Sequence, residues 1–459
     1  MKPVRFIDLF AGIGGLRLGF EGAFKNAGLK TECVMTSEIK PHALKVLESN
    51  FSHDYLVGDI TKVRNENIPD FDFLLGGFPC QPFSAGGKRL GFVDTRGTLF
   101  FEIERILAEK KPYGFILENV EGLVKHDLEN KQDKEGRTLR VILDKLQLLG
   151  YKVSWKVLNA ANFGLPQERK RVFIVGTLAE QLDLTDFAIK KNQIKTILEK
   201  GLPPMKSKFA DLLLTHFSIE QLHGKSIKDK RGGEDNIHSW DIEFKGSVMK
   251  EQTQLLNKLF KERRRKQWCA EIGIDWMDGI PLTFEQIKTF HDSPNLKAML
   301  DDLVEKKYLK FEHPKSLVTE HTLFGTKTYR LENKKLKPGY NIVSGKLSYE
   351  INKVMNPNGI APTLVATDMA RLVVPDGNGL RRMTLREGLR LFGYPEWFKM
   401  PATDDEGFDL LGNTVAVNVV AAVAGRLATV YRTALNEAKS HQVRRVVASN
   451  QNNQIEVEV

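Results

Sequence analysis

Between Val4 and Thr177 short apolar runs alternate with amphipathic stretches, and few folds accept that rhythm. Residues 4–9, 32–36, 55–57, 71–75 and 114–117 read as strands, and 16–25, 41–50 and 99–110 read as helices. Repeated strand–helix–strand units build a mostly parallel sheet with helices on its faces, an α/β fold. Two more strands follow at 152–158 and 171–177, separated by Asn162-Phe163-Gly164-Leu165-Pro166. In such sheets ligands bind at the carboxyl ends of the strands, so the residues that close each strand deserve a separate reading.

The first strand runs into Phe10-Ala11-Gly12-Ile13-Gly14-Gly15 and then a helix. Glycines there let backbone approach a ligand closely, or simply make a turn. A dinucleotide fingerprint needs a third glycine where Arg17 stands, which disfavours a pyrophosphate site. Glu38 ends the second strand, where a carboxylate can hold ribose hydroxyls; Asp59-Ile60 ends the third, an acid beside an apolar side chain suited to adenine. Either acid alone is also a common turn residue. Together they point to a nucleoside cofactor.

The fourth strand leads through Gly76-Gly77 to Pro79-Cys80-Gln81-Pro82. Proline fixes its own φ and keeps the residue before it out of the helical region, so Cys80 is aimed rather than packed. This favours a reactive thiol over a structural one. Glu118-Asn119-Val120 closes the fifth strand; Glu118 reads either as a surface acid or as an acid of raised pKa. Gln167-Glu168-Arg169-Lys170-Arg171 precedes the last strand. Alternation on an extended segment would point Arg169 and Arg171 the same way, towards a phosphate or a polar base edge, unless the run is a solvated turn.

At 459 residues the chain exceeds the size at which one core stops growing, so two domains are expected. Its net charge of +10 favours a polyanionic partner, nucleic acid first. The three cysteines, Cys33, Cys80 and Cys269, form no C-x-x-C pair, which excludes a disulfide framework or a cysteine-rich zinc site; no metal is expected. The start of the chain runs straight into a strand pattern carrying Asp8, so no signal peptide is expected, and neither is a membrane span. From about 182 to 345 the rhythm stops and lysine is frequent. The basic run 258–266 reads as a solvated helix face. Thr283 and Gln286 resemble a capping box, and Ser293-Pro294 reads as the cap and first turn of a second helix carrying Leu296, Met299, Leu300 and Leu303. Strands at 308–311 and 326–331 would follow. That order fits a winged helix-turn-helix, with Lys306 and Lys307 against DNA, or equally a plain helix pair. Two strands within 361–374 and helices at 384–392 and 415–432 complete the pattern; the span 439–459 reads as a disordered tail.

Phe10 to Gly14, Glu38, Asp59-Ile60, Pro79-Cys80-Gln81, Glu118-Asn119-Val120 and Gln167 to Arg171 resemble, in order, the motifs of DNA cytosine-5 methyltransferases of the restriction-modification type. So do Arg386-Glu387, Gly393-Tyr394-Pro395 and Gly412-Asn413-Thr414-Val415, with Thr414 where the family commonly has serine. The resemblance covers about 3–180 and 360–430. It implies a Rossmann-like mixed sheet for S-adenosylmethionine plus a smaller DNA-recognition domain, divided as 1–185, 186–400 (with a winged-helix-like part at 280–332) and a return at 401–438. It implies Cys80 as nucleophile, Glu118 as proton donor near N3, Arg169 at the base O2 and Arg171 in support. Phe10, Gly12, Gly14, Gly15, Glu38, Asp59, Ile60, Pro79, Leu99, Asn413 and Val415 would hold the cofactor. Gln81, Ser84, Lys88, Arg89, Arg96 and Gln167 would meet double-stranded DNA, with residues 84–96 as a loop closing over the flipped base. The implied protein is a cytoplasmic monomer, off the membrane, whose restriction endonuclease is a functional counterpart rather than a bound partner. Three other readings stand beside it: an NAD-dependent oxidoreductase, opposed by Arg17; a non-catalytic DNA binder, opposed by the set Cys80, Glu118 and Arg169; and a tRNA cytosine methyltransferase, opposed by the long insertion.

Overall fold

The computed structural model describes residues 2–79, 99–130, 132–229, 236–322, 325–343, 349–365 and 369–455. The chain divides into two compact units. One comprises residues 1–199, 356–370 and 383–459; the other comprises 200–355 and 371–382.

The first unit holds a seven-stranded sheet in the order β3-β2-β1-β4-β5-β7-β6. Its strands are β1 (Val4–Leu9), β2 (Thr31–Ser37), β3 (Leu56–Val57), β4 (Phe73–Gly76), β5 (Gly114–Val120), β6 (Lys152–Asn159) and β7 (Lys170–Thr177). The first five pair in parallel, and β7 runs antiparallel to both β5 and β6. Helices α1 (Gly15–Asn26), α2 (Pro41–Asn50) and α3 (Leu99–Lys110) stand where the sequence pattern puts them. Helix α4 (Arg137–Leu148) was not anticipated, although Leu139, Ile142 and Leu146 keep helical spacing and are buried.

Alternation along β1 explains the layers. Phe6 faces one side with Phe20 and Phe24 of α1; Ile7 and Leu9 face the other with Ile103 and Leu107 of α3 and Ile142 of α4. Each fully buried aromatic or aliphatic side chain here contributes about 1.5–3 kcal/mol.

The second unit opens with α5 (Lys208–His216), α6 (Ile219–Leu222) and strands β8 (Ser226–Ile227) and β9 (Asn236–Ile237). Helices α7 (Lys250–Glu262), α8 (Lys266–Glu271), α9 (Phe284–Lys288) and α10 (Leu296–Glu305) enclose an apolar cluster from Trp240 to Ile342. Strands β10 (Leu309–Glu312) and β13 (Gly339–Ile342) pair antiparallel, and Leu282 bridges Tyr340 on the other edge of β13. Between them β11 (Lys315–Thr322) and β12 (Gly325–Glu332) form a hairpin. The expected strand at 326–331 therefore pairs with 315–322, not with 308–311. The Thr283 capping box is present: Gln286 N donates to Thr283 Oγ1 at 3.3 Å, and Thr283 N donates to Gln286 Oε1 at 2.9 Å. Asn295, not Ser293, caps α10. The basic run at 258–266 is not simply a solvated face. Arg263 is buried against Asn341, and Arg264 pairs with Asp278 at 2.9 Å. Strands β14 (Lys353–Val354), β15 (Leu372–Asp376) and β16 (Gly379–Arg382) join β8 and β9 in a five-stranded sheet. Of the two strands expected in 361–374, only this second one forms; Ala361 makes an isolated bridge to Gln167 in the first unit.

The chain then returns to the first unit at 383, earlier than the expected 401. Helices α11 (Leu385–Leu391) and α12 (Asp404–Asn413) start with capping boxes at Thr384 and Thr403. The last helix, α13 (Val417–Ile455), continues into the span read as a disordered tail. Extending an established helix costs less than nucleating one, and this span lacks glycine and proline. One 18-residue window within Asp404–Glu437 reaches a mean hydropathy of 1.5, apolar enough to cross a bilayer by length and composition alone, and more than half of it is buried. Its apolar character has a local cause: Val419, Val420, Val423, Ala424 and Leu427 complete the core against α1. Tyr431 adds ring contacts to Phe73 at 5.0 Å and Tyr113 at 4.8 Å.

This packing depends on Gly19. A Cβ there would lie 2.6 Å from Val420 and 3.0 Å from the Ala421 nitrogen, whereas one on Gly22 in the same helix meets nothing within 4 Å. Alanine normally improves a helix over glycine by about 1 kcal/mol. Gly22→Ala should therefore raise the denaturation midpoint. Gly19→Ala should lower stability by about 1–3 kcal/mol through overpacking. Equal shifts for the two variants in urea melts would show that α1 and α13 do not pack this closely.

Candidate active site

The carboxyl edge of the sheet is built from strand ends and from the returning C-terminal segment. The turn after β1 requires backbone that few residues adopt. Phe10, Gly12 and Gly14 all take positive φ, at 56°, 55° and 81°. Gly12 has open space where a Cβ would sit; Gly15 has none, since a Cβ would come within 2.7 Å of Tyr394 and Val415. Glycine at 15 thus lets the first helix turn abut the Asn413-Thr414-Val415 segment. Thr414 is buried and shares a 2.6 Å hydrogen bond with Tyr394. Asn413 donates to Asp409 O at 2.8 Å.

Glu38 organises the loop from the neighbouring strand end. Its Oε2 accepts from Gly12 N at 2.7 Å, and Oε1 accepts from Ile39 N and Lys40 N at 2.8 Å. A carboxylate offers about four lone-pair sites, so capacity for hydroxyl donors is left over. Ile39 was missed in the sequence, yet its side chain is 69% exposed beside this carboxylate. An apolar side chain left open next to an acid at a strand end is the signal. Asp59 caps a short 3-10 turn by accepting from Thr61 N and Oγ1, and these bonds hold its carboxyl below the usual range. Ile60 behind it is buried. Arg105 of α3 supports that turn, donating to Val63 O at 3.1 Å and to Asn65 Oδ1. Asp409 of α12 binds Lys40 at 2.9 Å and His42 at 3.4 Å, tying the return to the segment after Glu38. A glycine loop with open space, an acid with spare acceptors and two isoleucines form a cradle that fits a nucleoside cofactor.

Asp8 lies under this loop on β1. It is fully buried, neither carboxyl oxygen has a hydrogen-bond partner among the described residues, and burial raises its pKa to about 8 against the lowering influence of Arg17.

On the other side of the edge, Cys80, Gln81, Ser84, Lys88, Arg89 and Arg96 lie outside the described residues. The approach to Cys80 is described. Asn119, buried on β5, donates to Phe78 O at 3.2 Å and fixes the backbone just before half-buried Pro79. Glu118 sits beside that segment, 3.7 Å from where a Cβ on Gly77 would stand. Its Oε1 lies 3.2 Å from Arg171 Nε. Burial raises the Glu118 pKa, and the guanidiniums of Arg171 and then Arg169 pull it back only in part. The acid is poised to carry a proton in a water-poor site. Leu99 opens α3.

The two arginines do not point the same way. Arg171 lies within β7 and reaches Glu118. Arg169 precedes the strand, is buried, and donates to Leu364 O at 3.2 Å, Gly412 O at 3.2 Å and Thr414 O at 2.6 Å. Gln167, expected at DNA, is fully buried and donates to Leu391 O at 3.3 Å, so it supports the return segment instead. The two cysteines that the structure describes are both buried. Burial pushes the Cys33 thiol up to about 11, which leaves it unreactive at neutral pH. Among the described residues no group of three or more His, Cys, Asp or Glu side chains could hold a metal ion.

Comparison with known proteins identifies the family. Residues 4–429 match the family described as C-5 cytosine-specific DNA methylase. The chain is 56% identical over 427 residues to the Type II methyltransferase M.NlaIV of Neisseria lactamica, covering 93% of this chain and 99% of that protein. It is 55% identical over 427 residues to M.NgoBV of Neisseria gonorrhoeae, with the same coverage. Among solved structures, the Entamoeba histolytica methyltransferase EhMeth shares the fold at a TM-score of 0.50 and 16% identity, covering 93% of this chain and 98% of that one.

Removing the Arg171 guanidinium removes the larger of the two influences that lower the Glu118 pKa. In Arg171→Gln the Glu118 carboxyl should therefore titrate at higher pH than in the wild type. Difference infrared spectroscopy, with Glu118→Gln to assign the band, reads this directly. An unchanged midpoint would show that the 3.2 Å pair does not form in solution.

Proposed function

The chain belongs to the C-5 cytosine-specific DNA methylase family, and on that premise we propose how its residues divide the reaction. It is a DNA cytosine-5 methyltransferase. The NAD-dependent, non-catalytic and tRNA-directed readings gain no support from relatives that match it end to end.

We assign the nucleophile to Cys80. Carbon 5 of cytosine is a weak nucleophile, and a thiolate adding at C6 turns the ring into an enamine that is a strong one. The observation that carries the assignment is Glu118, buried beside the Gly77–Pro79 approach and 3.2 Å from Arg171. A protonated Glu118 donates to N3 as the thiolate adds, which absorbs the charge pushed into the ring. Arg171, the neighbour of Glu118, faces the base. Arg169 acts as a positioning residue, because its guanidinium is engaged by three carbonyls of the return. This exchanges the roles that the family resemblance suggested for the two arginines. S-adenosylmethionine supplies the methyl group, and Phe10, Gly12, Glu38, Ile39, Asp59, Ile60, Asn413 and Val415 are the residues that would hold it. With the methyl group on C5 and S-adenosylhomocysteine left behind, a base takes the C5 proton, the C–H electron pair expels Cys80 as thiolate, and N3 returns its proton to Glu118.

C5 and C6 are shielded in a stacked duplex, so the target cytosine must be flipped out of double-stranded DNA. We infer that the loop from Ser84 to Arg96 closes over it, with Gln81, Lys88, Arg89 and Arg96 at the DNA. By likeness to the Type II relatives, the enzyme protects host DNA in the bacterial cytoplasm. It acts as a monomer beside an endonuclease it need not touch.

Cys80→Ser should lower methyl transfer by about three orders of magnitude or more while S-adenosylmethionine binding persists. Duplex DNA carrying 5-fluorocytosine, which cannot lose a C5 proton, should form a denaturation-resistant adduct that peptide mapping locates at Cys80. An adduct at Cys33 or Cys269 would refute the assignment.

A further inference from the structure

The second unit contains a module whose chain order is distinctive. Helix α7, then, after the short α8, the strand position Leu282, helices α9 and α10, strand β10, the β11–β12 hairpin and strand β13 follow in order. The three short strands pair as Leu282–β13–β10, with the hairpin projecting between the last two. This is the topology of a winged helix, with α10 in the place of the helix that would enter a groove. Two of its elements have a shape that a major groove accepts: helix α10 and the two-stranded ribbon β11–β12.

Their charges separate them. Within α10 one lysine, Lys297, stands against Asp301, Asp302 and Glu305. Lys297 is engaged by Asp301 at 2.6 Å. Lys306, just past the helix, is held by Asp302 at 2.8 Å and by Ser247 O at 2.9 Å. Lys306 is therefore an internal tie and not the DNA contact that the sequence suggested. The Lys307 carbonyl accepts from Lys245 in the same corner. The apolar face of α10 is committed to the core through Leu296, Met299, Leu300 and Leu303. Only an acidic face remains, which phosphates repel.

The ribbon is the opposite case. From Lys315 to Lys337 the sequence carries six basic residues against two acids, Glu320 and Glu332. Glu320 accepts from Tyr329 OH at 3.2 Å. Lys327, Lys334 and Lys335 are exposed and make no ion pair among the described residues. One face is anchored, since Arg330 donates to Trp276 O at 3.1 Å. By alternation, the opposite face presents Ser316, Val318, Glu320, Lys327, Tyr329 and Leu331, with Lys327 across from Glu320 and a further cationic stretch at Lys334 and Lys335. Leu317 and Leu331 are 44% and 51% exposed. A two-stranded ribbon of this length is marginal on its own, and exposed apolar side chains make it costlier still unless a partner covers them.

We propose that the β11–β12 ribbon, with Lys334 and Lys335 at its base, is the element of this module that grips duplex DNA, and that α10 is not. The proposal rests on the reading of the chain as a DNA methyltransferase. Charge complementarity selects the occupant: a cationic ribbon of groove-fitting width meets a polyanion.

The test uses the full-length protein and a duplex that the wild type methylates. In Lys327→Gln/Lys334→Gln/Lys335→Gln, Kd for that duplex at about 0.15 M salt should rise at least tenfold, and the slope of log K against log salt should shrink by about 0.9 for each phosphate no longer neutralised. S-adenosylmethionine binding, measured calorimetrically, should not change. Asp301→Asn/Glu305→Gln should keep the wild-type Kd within about twofold, as surface changes away from an interface do. Wild-type Kd and salt slope in the triple variant would overturn the proposal. So would an effect of the α10 variant as large as that of the ribbon variant. Tritiated methyl incorporation by the wild type is read in parallel, so failure of the enzymatic reading (no label in duplex DNA) is distinguishable from failure of the ribbon.

Discussion

One buried guanidinium holds the catalytic edge together. Arg169 is 2% exposed, and a cation that deep is tolerated only when most of its donors are engaged. Leu364, Gly412 and Thr414 supply carbonyl oxygens, and the Phe392 ring lies 5.0 Å from the charge. All four belong to segments that return from beyond the second unit. The same return brings Val415 against Gly15, Asn413 within reach of Asp409, and Asp409 onto Lys40 and His42. The strand-end loop carrying Gly12 and Glu38 is thus held against a segment from a distant part of the chain. Arg169 is one of several ties between these parts, beside the Asp409–Lys40 pair and the Gln167–Leu391 hydrogen bond.

Much of this was legible in the sequence because sheet edges concentrate polar residues where strands end. Phe10 to Gly15, Glu38, Asp59-Ile60 and Glu118 all stand at such ends. What could not be read depended on long-range wrapping. Alternation put Arg169 and Arg171 on one face, but the rule holds only inside a strand, and β7 begins between them at Lys170. Gln167 looked like a surface residue because nothing local announces that Ala361 and Leu391 will cover it. Asn119 read as part of a motif, while its task, holding the Phe78 carbonyl, spans 41 residues. In the second unit the helices were legible from caps and spacing. The pairing of the strands was not, because two candidate partners for 326–331 lay close together.

Burial sets the acid–base character of this edge more than charge pairing does. Glu118 keeps a raised pKa although two arginines stand near it. Asp8, below the glycine loop, is raised to about 8 with no hydrogen bond among the described residues to offset its desolvation. An acid of raised pKa adds stability below its unfolded value that is lost as pH climbs through the folded one, so Asp8 makes this unit less stable towards pH 8. The site therefore holds two carboxyls whose neutral forms are favoured by the fold itself.

The closure of the first unit by α13 also has a consequence for biosynthesis. Phe20 and Phe24 of α1 leave the ribosome about 400 residues ahead of Val420, Val423 and Tyr431, which close the same core. Synthesis at about 5–20 residues per second separates the two ends by tens of seconds. During that interval the nascent amino-terminal sheet carries an uncovered aromatic face, while the second unit, contiguous apart from residues 371–382, is already complete enough to collapse. The first unit can therefore close its core only after the final helix has been made, however early its sheet is translated.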